Sequence, residues 1–129
     1  MDKLEYIPVV LASVYVGIKK YIVEVIGKEN ENEVLSFQIK FPNGEIQYAD
    51  KDNIVPIPLT PEILEKNGWV KDKEDYINDS YHLHLCGKYD RYSVYKVVND
   101  NIVWLTDVRN VSDLQHLLFG LGINHEMEV

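Results

Sequence analysis

The stretch His82-Leu83-His84-Leu85-Cys86 holds the residue types most capable of chemistry in this chain. On a strand, His82, His84 and Cys86 share one face, and Tyr81, Leu83 and Leu85 share the other. Two imidazoles and a thiolate could ligate zinc. Alternate strand residues stand roughly 7 Å apart, however, so three in a row do not reach one ion without a bend. A fourth ligand would have to come from elsewhere, with Asp90 or His116 the candidates. A Cys86–His84 nucleophile–base pair needs an orienting group and an oxyanion pocket. Asp90 could orient the histidine, but no nucleophile elbow or oxyanion loop surrounds the pair. The reading is therefore an amphipathic strand, with no catalytic set, no metal and no cofactor.

The carboxylates Asp72, Glu74, Asp75 and Asp79 cluster without the apolar neighbours that would raise a pKa. They read as a solvated loop. The Gly120-Leu121-Gly122 segment closes a helix, whereas a phosphate-binding glycine loop opens one. Tyr89, Arg91, Tyr92, Tyr95 and Trp104 make the second half tyrosine-rich, and on a strand Tyr89, Arg91 and Tyr95 share a face. Such a face could anchor a protein partner, stack on bases, or pack beneath a helix.

Charge narrows these options. The chain has 21 acidic and 13 basic residues, a formal net charge of −8. Positions 1–60 hold nine acidic and six basic residues, and positions 61–129 hold twelve and seven. Neither half is basic, which weighs against strong independent nucleic-acid binding. An acidic surface suits a partner with a basic groove. Cys86 is the single cysteine, so no intramolecular disulfide forms, as in a reducing cytoplasm. The start Met1-Asp2-Lys3-Leu4-Glu5-Tyr6 lacks the pattern of a signal peptide, and Ile7 to Ile18 is too short and broken to span a bilayer. The expectation is a cytoplasmic protein that does not engage membranes.

The elements that would position these residues fall in two halves. Val9–Val16, Tyr21–Ile26, Val34–Phe41, Glu45–Ala49 and Ile54–Val55 read as five short strands. Lys28 to Glu33 is an acidic hairpin tip, and Pro42-Asn43-Gly44 is a turn. These features predict a small antiparallel SH3-like barrel over residues 1–58. Thr60 caps a short helix starting at Pro61, and Gly68 ends it. Trp69 reads as its core anchor. After a polar stretch from Lys71 to Ser80, in which a strand could begin at Tyr76-Ile77, three strands form a meander: Tyr81–Cys86, Arg91–Val98 and Ile102–Thr106. Val111, Leu114, Leu117, Leu118 and Leu121 mark one face of a final helix, capped by Asn110 or Ser112. Ile123 to Val129 is expected to fray. The fold class is thus α+β, with a β lobe at 1–58 and an α+β lobe at 59–129, together one compact unit.

Two segments carry a resemblance. Pro56-Ile57-Pro58-Leu59-Thr60, with Glu62, Leu64, Gly68 and Trp69, is one. Val111, Leu114, Gln115, Leu117, Phe119 and Leu121 form the other. Through them the chain resembles short uncharacterised proteins of Bacteroidetes phages and mobile elements. Trp69 stands where those proteins have Phe, and the Thr-Gly-Glu that often follows the last helix is absent. The resemblance implies an accessory protein that inhibits or modulates a host protein. An anti-CRISPR protein acting on a type VI RNA-guided RNase is one such role. For that reading the binding residues are Glu29, Glu31 and Glu33, the acidic set Asp72, Glu74 and Asp75, and the anchors Tyr89, Arg91 and Tyr95. The alternative is an SH3-like module that binds a peptide or a single nucleic-acid strand near Lys19, Lys20 and Tyr21.

Overall fold

A computed structural model describes residues 4–5, 8–31, 34–86 and 91–129. The described residues are mostly β and not the expected α+β, with 55% of them in strands and 17% helical, arranged as two antiparallel sheets and two helices. In the first sheet the order is β5 (Ile46–Asp50), β4 (Val34–Lys40), β3 (Lys19–Glu31), β2 (Val10–Val16), β6 (Ile54–Val55), and β1 (Leu4–Glu5) also pairs with β3. The second sheet runs β11 (Asn101–Val108), β10 (Arg91–Val98), β9 (Tyr81–Cys86), β8 (Asp75–Asn78), β7 (Val70–Asp72). Helix α1 is Pro61–Lys66 and α2 is Val111–Gly120.

Several other features differ from expectation. No closed barrel forms in the first half. Pro56 and Pro58 stop β6 after two residues, so it covers only Ser13 and Val14 of β2. The second half is a five-stranded sheet and not a three-stranded meander. Within the polar stretch, the strand expected around Tyr76-Ile77 is β8, and the part read as loop adds β7, joined to it by a tight turn at Lys73-Glu74 in which Lys73 takes a φ of 59°. The adjacent Tyr76 and Ile77 are the strand signal of β8, whereas Val70-Lys71-Asp72 offers none for β7. The end of the chain is anchored where fraying was expected: Ile123, Met127 and Val129 pack on the larger core. The Asn67 side chain donates to the Glu128 carbonyl (2.7 Å) and accepts from the Glu128 N–H (2.8 Å). The acidic tip is likewise shorter than expected, because β3 continues through Glu29 to Glu31.

Both helices are set by their ends. The Thr60 hydroxyl accepts from the Ile63 N–H at 3.2 Å, and Asn110 Oδ1 accepts from the Asp113 N–H at 2.8 Å. Gly68, at a φ of 88°, lets Trp69 N–H return to the Leu64 carbonyl at 3.0 Å. Gly122, at 73°, does the same for Ile123 and Leu118 at 2.9 Å. A six-residue helix gains little from its own hydrogen bonds. Fully buried Leu64 and buried Trp69 hold α1 in place.

There are two cores. The larger joins Leu64, Trp69, Leu83, Val94, Leu114 and Leu118, together with Ile57 and Leu59 of the connection. The smaller fills the first sheet with Val10, Ala12, Val14, Val23, Val25 and Ile39. Leu11 and Ile22 of the first sheet also pack on the larger core. Beside the backbone bond from the Val111 N–H to the Ile57 carbonyl, a buried side chain links the halves: Gln115 of α2, only 2% exposed. Its Oε1 accepts from the Leu11 N–H at 2.7 Å, and its Nε2 donates to the His125 carbonyl at 3.0 Å. Leu11 lies beyond the end of β6, so a side chain takes the place of a missing strand.

Replacing Gln115 with Leu should destabilise the protein by about 2–3 kcal/mol, because two backbone polar groups lose their partner in a confined site. Urea unfolding followed by circular dichroism measures this. A loss under about 0.5 kcal/mol, the range of an inconsequential surface change, would show that water replaces the amide without cost.

Candidate functional site: the outer face of the second sheet

The register of the second sheet brings its polar residues into rows. Asp72, Asp75, His84, Ser93 and Asp107 lie side by side across all five strands. The next row on the same face is Val70, Ile77, His82, Tyr95 and Trp104. Leu83 and Val94 point the other way, into the core. Strand alternation thus separates a packed face from a chemically varied one.

Asp75 is the hub of that face. It accepts a hydrogen bond from the Tyr95 hydroxyl, and its Oδ1 lies 2.7 Å from His84 Nδ1. Burial pushes the Asp75 carboxyl up. The hydrogen bonds from Tyr95 and His84, with the charges of His84 and His82, outweigh it and hold the group below its ordinary value. The Tyr95 phenol is pushed up to about 12 by burial, by its bond to Asp75 and by the charges of Asp75 and Asp72. A phenol so placed stays a proton donor across the physiological range.

The rest of the face is similarly engaged. His82 stacks on Tyr95 with ring centroids 4.5 Å apart, and its buried Nδ1 has no hydrogen-bond partner among the described residues. Cys86 Sγ is 3.1 Å from Ser93 Oγ, which donates to Asp107 Oδ1 at 2.8 Å. Arg91 Nε is 3.3 Å from Asp107 Oδ2. His82, His84 and Cys86 share a face, as their spacing requires, but each is committed to a different neighbour. Among the described residues no three His, Cys, Asp or Glu side chains gather as a metal site.

Of the binding residues named from sequence, Asp72, Glu74 and Asp75 line a shallow depression of about 450 Å³ together with Lys73, Ile77, His82, His84 and Tyr95. Arg91 belongs to the same face. Tyr95 is only 9% exposed and lies under Trp104, centroids 4.9 Å apart. Glu29 is in the other sheet, paired with Ser36, and the Glu31 backbone pairs with Val34. Glu33 and Tyr89 lie outside the described residues. At the alternative location, Lys19 Nζ sits 5.0 Å from the Tyr21 ring centroid, and Tyr21 meets Phe41 edge-on at 5.6 Å.

A strand over Ile102–Thr106 is legible in the sequence, but its place at the edge of the second sheet is not. In β11, Ile102, Val103, Trp104 and Leu105 are 56, 45, 60 and 37% exposed. Asn101 to Thr106 contains no charge and no proline, two of the devices that blunt an edge; a bulge is the one this strand has. A register shift between Val94 and Tyr95 of β10 leaves Leu105 as one extra residue in β11. The only sequence signal of this surface was an uncharged apolar run longer than a solvent-facing strand requires. Among the described residues, no helix is long and apolar enough to cross a membrane. No protein-family model, curated protein or solved structure matches this chain.

The depressed Asp75 carboxyl supplies stability that is full above the unfolded carboxyl value of about 4 and is lost as pH falls through the lower folded value. Asp75→Asn should therefore unfold with a shallower pH dependence in that acidic window. Urea midpoints from neutral pH down to strong acid test this, and parallel wild-type and variant curves would refute the coupling. At the alkaline end, absorbance at the tyrosinate band should show one phenol ionising at about 12 in the wild type and nearer its ordinary value in Asp75→Asn.

Proposed function

We propose that this chain is a non-enzymatic binding protein that engages a basic surface of a host protein through the outer face and β11 edge of the second sheet. The observation that carries the reading is exposed Trp104, 60% accessible, on an uncharged edge strand, with Asp72 and Glu74 toward the opposite edge of the same sheet. An exposed tryptophan over a supported aromatic base suits a binding anchor. The unpaired backbone of β11 offers hydrogen bonds to an added strand. Asp72 and Glu74, with a net charge of −8, favour fast encounter with a cationic partner.

The resemblance of the Pro56–Trp69 and Val111–Leu121 segments to phage and mobile-element proteins extends the proposal to inhibition of a host protein. The partner class to test first is a CRISPR effector with a basic nucleic-acid channel, type VI RNA-guided RNases among them.

The test is a binding titration against a purified effector, coupled to its cleavage of target RNA. Wild-type protein should bind stoichiometrically and suppress cleavage. Trp104→Ala should weaken binding about ten-fold or more, a loss of about 1.4 kcal/mol or more. Asp72→Lys with Glu74→Lys should slow association and reduce its salt dependence. Tyr48→Ala, an exposed change on the other sheet, should leave affinity unchanged. A complex indifferent to the Trp104 and charge-reversal variants would refute this surface, and no complex with any effector class would refute the inhibitor reading.

A further inference from the structure

A second site stands apart from the acidic face. Between the first sheet and α2 lies a cleft of about 370 Å³. Val10, Ala12, Val25 and Phe37 form apolar walls, and Lys51 and His116 are exposed at its margin. Lys28 and Ser112 line the same cleft. The cleft exists because the sheet is bent but not closed. An extra residue between Val25 and Gly27 of β3 is a bulge, which curls the sheet. The proline-stopped β6 then leaves that curl open toward α2.

Its charge is opposite to that of the molecule. The chain carries 21 acidic residues against 13 basic, yet no carboxylate lines this cleft among the described residues. The other depression is richer in acid, with Asp72, Glu74 and Asp75 in its wall against the single lysine Lys73. Neither Lys51 nor His116 forms an ion pair among the described residues. An apolar chamber of this size with a few polar groups at its margin is the usual form of a small-molecule site. A lysine ammonium at the mouth would hold a carboxylate by a charge-assisted hydrogen bond, and the imidazole adds a ring N–H donor. We infer that this cleft binds a small amphipathic anion, an alkyl or aryl carboxylate whose apolar body enters between Val10, Val25 and Phe37 and whose carboxylate meets Lys51 and His116.

Octanoate is the probe, with octylammonium as the cation of equal chain length, in ¹H–¹⁵N correlation spectra of the full chain. Octanoate should shift the Val10, Ala12, Val25 and Phe37 amides saturably, and octylammonium should not. Lys51→Glu, an exposed change that leaves the core intact, should weaken octanoate binding about ten-fold or more. His116→Glu should act in the same direction. Unchanged affinity in Lys51→Glu would overturn the assignment. So would equal binding of the cation, or the absence of saturable shifts at those four amides. This site is independent of the β11 surface, so the Trp104→Ala variant should bind octanoate as the wild type does.

Discussion

One side-chain amide decides how the two halves of this protein meet. The N–H of Leu11 faces a gap where the first sheet runs out of strand, and Gln115 closes that gap from the opposite element. A buried primary amide is costly unless its oxygen and nitrogen are both used. Here the oxygen takes Leu11 and the nitrogen gives to His125, which ties the chain's last segment to the same point. Around this polar contact the apolar residues of α2 do the packing. Val111, Leu114 and Leu118 seal the larger core, and the Val111 N–H reaches the Ile57 carbonyl at 2.9 Å. The helix is thus the part that both sheets need.

The same shortage of strand explains the surface features. Had β6 been longer, it would have covered Leu11, and the open mouth beside α2 would have narrowed. Prolines at 56 and 58 remove the donors a longer ladder requires, so the bend at Gly27 ends in a cleft. On the second sheet the corresponding opening is at β11, whose residues stay exposed up to Val108 and whose outer edge pairs with no strand. Charge is distributed unevenly over these openings. Carboxylates gather beside the second sheet's outer face, and the cleft of the first sheet is bordered by Lys51 and His116.

Within the outer face, the polar network restricts the available chemistry. Asp75 is shared between Tyr95 and His84, and Ser93 between Cys86 and Asp107. A phenol held at about 12 and a carboxylate held low both resist proton exchange near neutrality. The arrangement ties Tyr95, which lies under Trp104, to Asp75 and so fixes the base of the exposed indole.

The helices and the strand faces are legible in local residue patterns. Thr60, Pro61 and Gly68 announce α1, and the periodic leucines with Asn110 announce α2, because caps and helical periodicity act within a few residues. The alternation in His82 to Cys86 separates the polar from the buried face, since a strand's side-chain period is 2. The pairing of strands is not legible in the same way. Closure of the first sheet depends on how far two distant segments run side by side, and β7 carries no local strand signal, so only its pairing with β8 reveals it. Asp72, Asp75 and Arg91 could be named from sequence, but their meeting with Tyr95, His84 and Asp107 is a matter of register. Composition and local pattern by themselves determined the acidic character, the helix ends and which residues alternate on each strand. Tertiary structure alone decided that Gln115 replaces a strand, that Tyr95 lies beneath Trp104 and that β11 is left as an edge. Those outcomes arise from contacts between residues far apart in the chain, and no local preference encodes them.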